Sequence, residues 1–351
     1  METHEEVVRI KRSKWRLVLT LITFIALGVL IYGVRKDIGG VVENLRKVNT
    51  LALLLIIPIE ALNYDVYARM YVRFFRILGE NVRYRDMYRI NLELNFVNHI
   101  LPSGGISGIS YFTVRMRAYA VSGPKSTLSQ IMKLLLLYVS FQPLLIVGVI
   151  LLAARGHVNN LVMLVAGALI TLLVVGTIGF IYMIESRSRI NSFLTMVTKI
   201  LNKLLGVFRR NKETINIAGA QDAFNELHDN YKLLKENWRQ LRVPFLYMLI
   251  ANATELAAIY VVYIAFGRLV NVGAVILAYA VANFAGLISV LPAGIGVYEG
   301  LMTAVLAATG ISAGLSIPVT IMYRVLNMGI QLIPGYYLYQ KALRSGLDRI
   351  K

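Results

Sequence analysis

The sequence predicts an all-α polytopic membrane protein with about six full spans plus two oppositely oriented re-entrant helical hairpins, an inverted repeat. Three observations lead there. Of the 351 residues, 57% are hydrophobic and only 16% charged, more apolar than a water-soluble globule of this length. The apolar runs reach the ~20 residues that a bilayer crossing needs. And a Leu-Pro-x-Gly pattern interrupts two of those runs, in "NHILPSGGISG" at 98–108 and "SVLPAGIGVYEG" at 289–300.

The full spans are read at 17–34, 51–75, 127–153, 160–184, 243–267 and 315–339. Arg9, Lys11, Arg12, Lys14 and Arg16 precede the first and place the N-terminus in the cytoplasm. No small-residue cleavage site follows that run, so it is expected to be an anchor and not a cleaved signal. Arg69, Arg73, Arg76, Arg83, Arg85 and Arg89 follow the second span, and Lys341, Arg344, Arg349 and Lys351 follow the last, both on the cytoplasmic side. The 154–159 and 268–272 connections carry one Arg each and fall outside. One loop opposes this scheme: 35–49 holds Arg35, Lys36, Arg46 and Lys47 yet falls outside.

With Arg89 and Arg115 both cytoplasmic, the segment about 90–118 enters and leaves from inside. The segment about 273–310, between an outgoing and an incoming span, enters from outside. Three parts result: a first membrane half at 1–184, a basic cytoplasmic segment at 185–242 and a second membrane half at 243–351. The formal net charge is +18, but the basic residues flank spans instead of gathering in a soluble domain. That reads as orientation and contact with anionic phospholipid headgroups, not as nucleic-acid binding.

The breaks themselves are the first candidate site. Pro102 and Pro292 remove an amide donor and stop a helix. Gly104, Gly105, Gly108, Gly294 and Gly296 let the backbone turn and a ligand come close. Each break is followed by a new helix start with free amides, a place suited to phosphate. Non-helical backbone at membrane depth is tolerated where protein or a water-filled cavity surrounds it, and such paired breaks mark binding sites in transporters built from inverted repeats. Packing kinks between small residues are the plainer alternative.

Ionisable and polar side chains inside spans are the second candidate set, because burying them is costly. Glu299 directly follows the second break. Glu255 and Asn252 share a face of the fifth span, and Arg324, Asn327 and Gln331 share a face of the sixth. An arginine at that depth needs a carboxylate, with Glu299 and Glu255 as its candidates; a structural ion pair and a lipid-phosphate contact are both open. In the first half Glu60, Asn63 and Asp65 lie in the second span, while Glu93, Asn95 and Asn98 are expected to line a cavity opposite Glu299. His99 is read as a hydrogen-bonded core residue.

There is no cysteine, which excludes disulfides, thiolate metal sites and thiol catalysis. His4, His99, His157 and His228 show no pair at ligand spacing. No metal and no cofactor are expected. "VSGPKS" at 121–126 lacks the glycine frame of a phosphate-binding loop, so ATP hydrolysis is not expected.

The central segment divides in two. Ile190, Phe193, Leu194, Val197, Leu201, Leu204, Leu205 and Phe208 recur at helical spacing beside Lys199 and Lys203, a basic amphipathic helix suited to a membrane surface. Phe224, Leu227, Tyr231, Leu234, Trp238 and Leu241 form a three–four seam, expected to pack on that first helix or on a partner subunit.

"NFVNHILPSGGISGISYFTVR" at 95–115 and "ANFAGLISVLPAGIGVYEG" at 282–300 resemble the membrane region of the lysylphosphatidylglycerol synthase/flippase family, also found as stand-alone flippase-like membrane proteins. Span order and the central polar segment fit as well. The first motif departs from many relatives: they carry an acid after the glycines, where this chain has Ser107-Gly108-Ile109-Ser110. After residue 340 only eleven residues follow, so the soluble aminoacyl-transfer domain of the full-length synthase is expected to be absent.

The resemblance implies translocation, as a flippase or scramblase, of an anionic or aminoacylated phospholipid or a polyprenyl-phosphate lipid across the cytoplasmic membrane. A membrane enzyme of lysyl transfer or lipid glycosyl transfer is the alternative, and a small-solute or ion transporter the second. A further copy of the chain, or a separate lipid-modifying enzyme, are the protein partners left open.

Overall fold

A computed structural model describes residues 44, 48–100, 106–154, 160–189, 191–192, 195–196, 217–288 and 296–344. Among these the chain is helical, with no strand, and it is an all-α polytopic membrane protein. The helices are α1 (Ile56–Ile77, entered through a short turn at Thr50–Leu53), α2 (Tyr84–Ile100), α3 (Ile106–Arg117), α4 (Gly123–Ala154), α5 (Asn160–Ile184), α6 (Ile217–Glu236), α7 (Arg242–Ala265), α8 (Val272–Ile288), α9 (Val297–Ala308) and α10 (Ala313–Arg344). A 3₁₀ turn, Trp238–Leu241, leads into α7.

Five stretches are long and apolar enough to cross a membrane: Thr50–Ile77, Gly123–Ala154, Asn160–Ile184, Trp238–Ala265 and Ala313–Arg344. They coincide with five of the six spans read from the sequence; the sixth, at 17–34, lies outside the described residues. α5 is the most apolar of the five, yet only 22% of its core window is buried, against 50% for the stretch holding α7. A helix that is apolar all round and mostly uncovered belongs at the lipid-facing edge, whereas α7 belongs at the centre.

The four remaining membrane helices come as two matched pairs. α2 and α3 are 17 and 12 residues long, and α8 and α9 are again 17 and 12. At 1.5 Å per residue these are roughly 25 and 18 Å, short of a hydrocarbon core of about 30 Å. Each pair packs on itself, and its longer helix packs on the closing span of the other half, α2 on α10 and α8 on α4. α1 lies along α7, where Asn63 Nδ2 donates to Ala251 O (3.2 Å) and to Thr254 Oγ1 (2.9 Å). The joints match too. Just past α1 and α7, Gly79 and Gly267 take left-handed φ of 80° and 69°, and before α4 and α10 Ala120 and Gly310 do the same, at 59° and 89°.

Side-chain packing explains the reciprocal contacts. A Cβ on Gly273 of α8 would fall 2.2 Å from Gly148 O of α4, and one on Gly335 of α10 would fall 2.7 Å from Leu92 O of α2. Both closing spans therefore meet the opposite hairpin backbone to backbone, which only small residues permit. The apolar core is split accordingly. One cluster joins α1, α2, α3, the beginnings of α4 and α7, the end of α5, and α6; a second joins the ends of α4 and α7 with α5, α8, α9 and α10; a third, smaller one joins α2 to α10 through Phe96, Ile100, Met328 and Tyr339. The tips of the two breaks, with Pro102, Gly104, Gly105, Pro292 and Gly294, lie outside the described residues.

Most of the amphipathic stretch at 190–208 also lies outside them. The seam that follows packs on the membrane helices. In α6, Leu227, Tyr231 and Leu234 are buried against the α1–α4 cluster, and the helix lies on α4. Ser122 Oγ donates to Glu226 Oε1 (2.6 Å), and His228 Nδ1 lies 3.0 Å from Ile184 O. The start of α4 and the end of α5 leave an apolar shelf that the seam residues Leu227, Tyr231 and Leu234 cover. Lys235 donates to Glu185 just past α5 and holds that carboxyl below the usual carboxylate range.

Candidate functional site

Among these apolar clusters lies a polar cavity of about 290 Å³. Among the described residues every membrane helix except α3 and α5 contributes to its wall: Asn63 and Tyr67 from α1, Asn95, Asn98 and His99 from α2, Lys133 from α4, Glu255 from α7, Tyr279 and Asn283 from α8, Tyr298 from α9, and Tyr323, Arg324, Asn327, Met328 and Gln331 from α10. On α7 the polar wall residue, Glu255, falls where the helix passes from one apolar cluster to another, between Ala251 and Leu256. On α4 Lys133 lies before that passage, which comes between Leu136 and Phe141.

Two carboxylates anchor one side. Asn327 Nδ2 of α10 donates to Glu60 Oε1 (3.0 Å) and to Glu255 Oε2 (3.4 Å), so a single amide spans helices α1 and α7. Tyr323 OH donates to Glu255 Oε2 (2.7 Å), Asn63 Nδ2 to Glu255 Oε1 (3.4 Å), and Gln331 Nε2 to Glu60 Oε2 (3.2 Å). Gln331 also donates to Asn327 Oδ1. Among the described residues no cation lies within ion-pairing distance of Glu60 or Glu255; their donors are neutral.

The carboxylate of Arg324 is Glu299. Arg324 Nη1 donates to Glu299 Oε1 at 2.5 Å, with the guanidinium 4.6 Å from the centre of the Tyr298 ring. The other oxygen of Glu299 accepts the Gly296 N–H (2.7 Å), closing the first turn of α9. Gly296 itself has φ 84°, a left-handed value that suits glycine. Helix brace and ion-pair partner are thus the same carboxylate. Glu299 stands behind Arg324 and is not part of the wall.

The sequence-selected residues separate as follows. Arg324, Glu255, Asn327, Gln331, Asn95 and Asn98 meet at the cavity. Asn252 turns instead into α4, donating to Leu137 O and Ser140 Oγ (both 2.9 Å), and it edges a second cavity. Glu93 stays away from the wall. It takes a forked pair of bonds from Arg115 (2.7 and 3.2 Å) and one from Tyr111 OH (2.7 Å), tying α2 to α3. A bidentate guanidinium in place of water is reason enough for its burial. Gly108 lies in α3 with Asn98 Oδ1 directly over it: a Cβ there would be 1.9 Å from that oxygen.

Sequence reasoning missed Lys133, Tyr67, Tyr279, Asn283, Tyr298 and Tyr323, and read His99 as core, although it faces the cavity with Nδ1 2.8 Å from Asn95 O. Lys133 was legible as the lone charge in "QIMKLLLLYV". The tyrosines carried no such signal, because an aromatic in a span is ordinarily packing.

Two further cavities adjoin the polar one. The second, about 300 Å³, shares Tyr67, Tyr279, Asn283 and Tyr298 with it and adds Leu134, Leu137, Tyr138, Phe141 and Phe284. The third, about 310 Å³, shares Leu134, Tyr138 and Phe284 with the second; the rest of its lining is almost wholly apolar, with Leu172, Leu173, Gly176 and Phe180 of the lipid-facing α5. Polarity falls stepwise from the centre of the molecule to its edge.

Comparison with known proteins agrees with this architecture. A UPF0104 membrane protein of Methanothermobacter thermautotrophicus is 20% identical over 337 residues, covering 91% of this chain and 95% of that protein. A UPF0104 membrane protein of Pyrococcus horikoshii is 27% identical over 143 residues, 41% of this chain and 38% of that protein. The family model described as the lysylphosphatidylglycerol synthase TM region matches residues 16–335, nearly the whole chain, and the chain belongs to that family.

Proposed function

We propose that this chain translocates a lipid across the cell membrane, holding the headgroup in the polar cavity while the acyl chains lie in the apolar cavities that open toward α5. The observation that carries this is the run of three adjoining cavities, graded from a wall with Lys133, Arg324 and Glu255 to one of leucines and phenylalanine. A small-solute carrier has no use for the apolar end, whereas an amphiphile needs both ends at once. The matched hairpins support a re-entrant inverted repeat, and their packing on opposite closing spans is what a two-fold axis in the membrane plane would produce. Alternating access is then a rocking of one half against the other.

The test is purified protein in liposomes with tail-labelled lipids and a membrane-impermeant quencher. Loss of fluorescence from the inner leaflet, faster than in empty liposomes, is the expected result. Labelled lipid that stays put while a small ion or solute crosses would overturn the reading in favour of a solute carrier.

The orientation is part of the proposal: both termini and α6 in the cytoplasm, the 268–272 connection outside. The cysteine-free sequence makes labelling direct. In intact cells Leu269→Cys is expected to react with an impermeant maleimide, and Ile200→Cys and Gly346→Cys are expected to react after permeabilisation alone. The reverse pattern would invert the assigned topology.

A further inference from the structure

The two halves treat their central cation differently. Arg324 sits about three turns into α10, and Lys133 sits about three turns into its counterpart α4. Arg324 is neutralised by Glu299, the third residue of α9. The third residue of α3, the counterpart of α9, is Gly108. In place of an acid this half has a glycine, with Asn98 Oδ1 lying where a Cβ would sit.

Lys133 is left accordingly. Among the described residues no carboxylate lies within ion-pairing distance of its Nζ, which sits 5.6 Å from the Tyr67 ring centre. Glu255, the carboxylate on the cavity wall, takes its hydrogen bonds from Tyr323, Asn327 and Asn63 and none from Lys133. Nearby, the buried Tyr298 hydroxyl has no partner. An ammonium at membrane depth without a counter-charge is costly unless something anionic joins it.

We propose that Lys133 is the anion-binding side chain of the cavity and that its ligand is a phosphate, received as the headgroup of the translocated lipid. The Nζ donates to a phosphate oxygen, and the free Tyr298 hydroxyl supplies a second donor. The next residue of α4, Leu134, lines both outer cavities, so a single step along the helix separates headgroup from acyl chain. The substrate class that follows is a lipid whose phosphate bears net negative charge. This rests on the translocation reading above, and the experiment keeps the two apart.

Full-length protein in liposomes is given tail-labelled phosphatidylglycerol and, in parallel, a tail-labelled diglucosyl diacylglycerol, bulky but without phosphate. The readout is the ratio of the two rates, which cancels differences in insertion. Lys133→Gln is expected to lower that ratio about tenfold or more, the size of one lost charge-assisted hydrogen bond, and Lys133→Arg to recover most of it. Lys133→Gln with a native ratio overturns the assignment of Lys133 and leaves lipid translocation standing. If the native chain moves neither lipid but binds soluble glycerol phosphate in a Lys133-dependent way, the phosphate site survives and the lipid source is overturned.

Discussion

Glu299→Gln is expected to lose most lipid translocation while the variant still inserts and elutes as the native protein does. Glutamine can still accept the Gly296 N–H through its amide oxygen, so the first turn of α9 keeps its brace. What disappears is the negative charge facing Arg324, whose side chain is only 10% exposed. Removing one partner of a buried pair costs about 3 kcal/mol or more. Here the partners lie on α9 and α10, so an Arg324 that faces no Glu299 charge either draws water into the cavity or competes with Lys133 for the substrate phosphate. Both routes spoil release. Translocation by Glu299→Gln at the native rate across a pH series would reduce Glu299 to a helix brace.

Gly273→Ala is the second large effect, and it tests the architecture. The added methyl would sit 2.2 Å from Gly148 O and 3.0 Å from Leu152 N, backbone atoms of α4 that no rotamer change can move. α8 has to shift bodily. Overpacking costs about 1–3 kcal/mol, and a backbone obstacle puts this site at the top of that range. The expected measurement is a thermal midpoint in detergent several degrees lower, roughly 2–4 °C per kcal/mol for a chain of 150 residues or more. Gly335→Ala, against Leu92 O and Phe96 Cβ (both 2.7 Å), should behave alike. Gly167→Ala on α5, with nothing within 4 Å, is the control. Equal midpoints for all three would mean that the closing spans do not approach the hairpins closely.

How far each level reaches can be traced residue by residue. The five described spans were legible because hydrophobic length is a local property, summed along the chain with no knowledge of neighbours. Even the Arg324–Glu299 pairing was half legible: burial physics demands a carboxylate for that arginine, and the chain offered two. Choosing between them was beyond sequence, because Glu255 is claimed by Tyr323 and Asn327 and only packing shows it.

Glu93 shows the same limit from the other side. Its residue type and depth promised a cavity wall, but Arg115, 22 positions later, folds back and takes it. Lys133 was the reverse case, a plain signal whose meaning depends on Gly108 and Asn98 in other helices. The amino-acid sequence by itself determined that this is a multi-pass membrane protein and, for five described helices, which runs are long and apolar enough to cross a bilayer, because hydropathy is local. The tertiary structure alone decided which charges are neutralised, which line the cavity and that polarity grades outward to α5. Those depend on distances between helices far apart in the chain, and Coulomb and desolvation energies change over a few ångströms that no sequence spacing records.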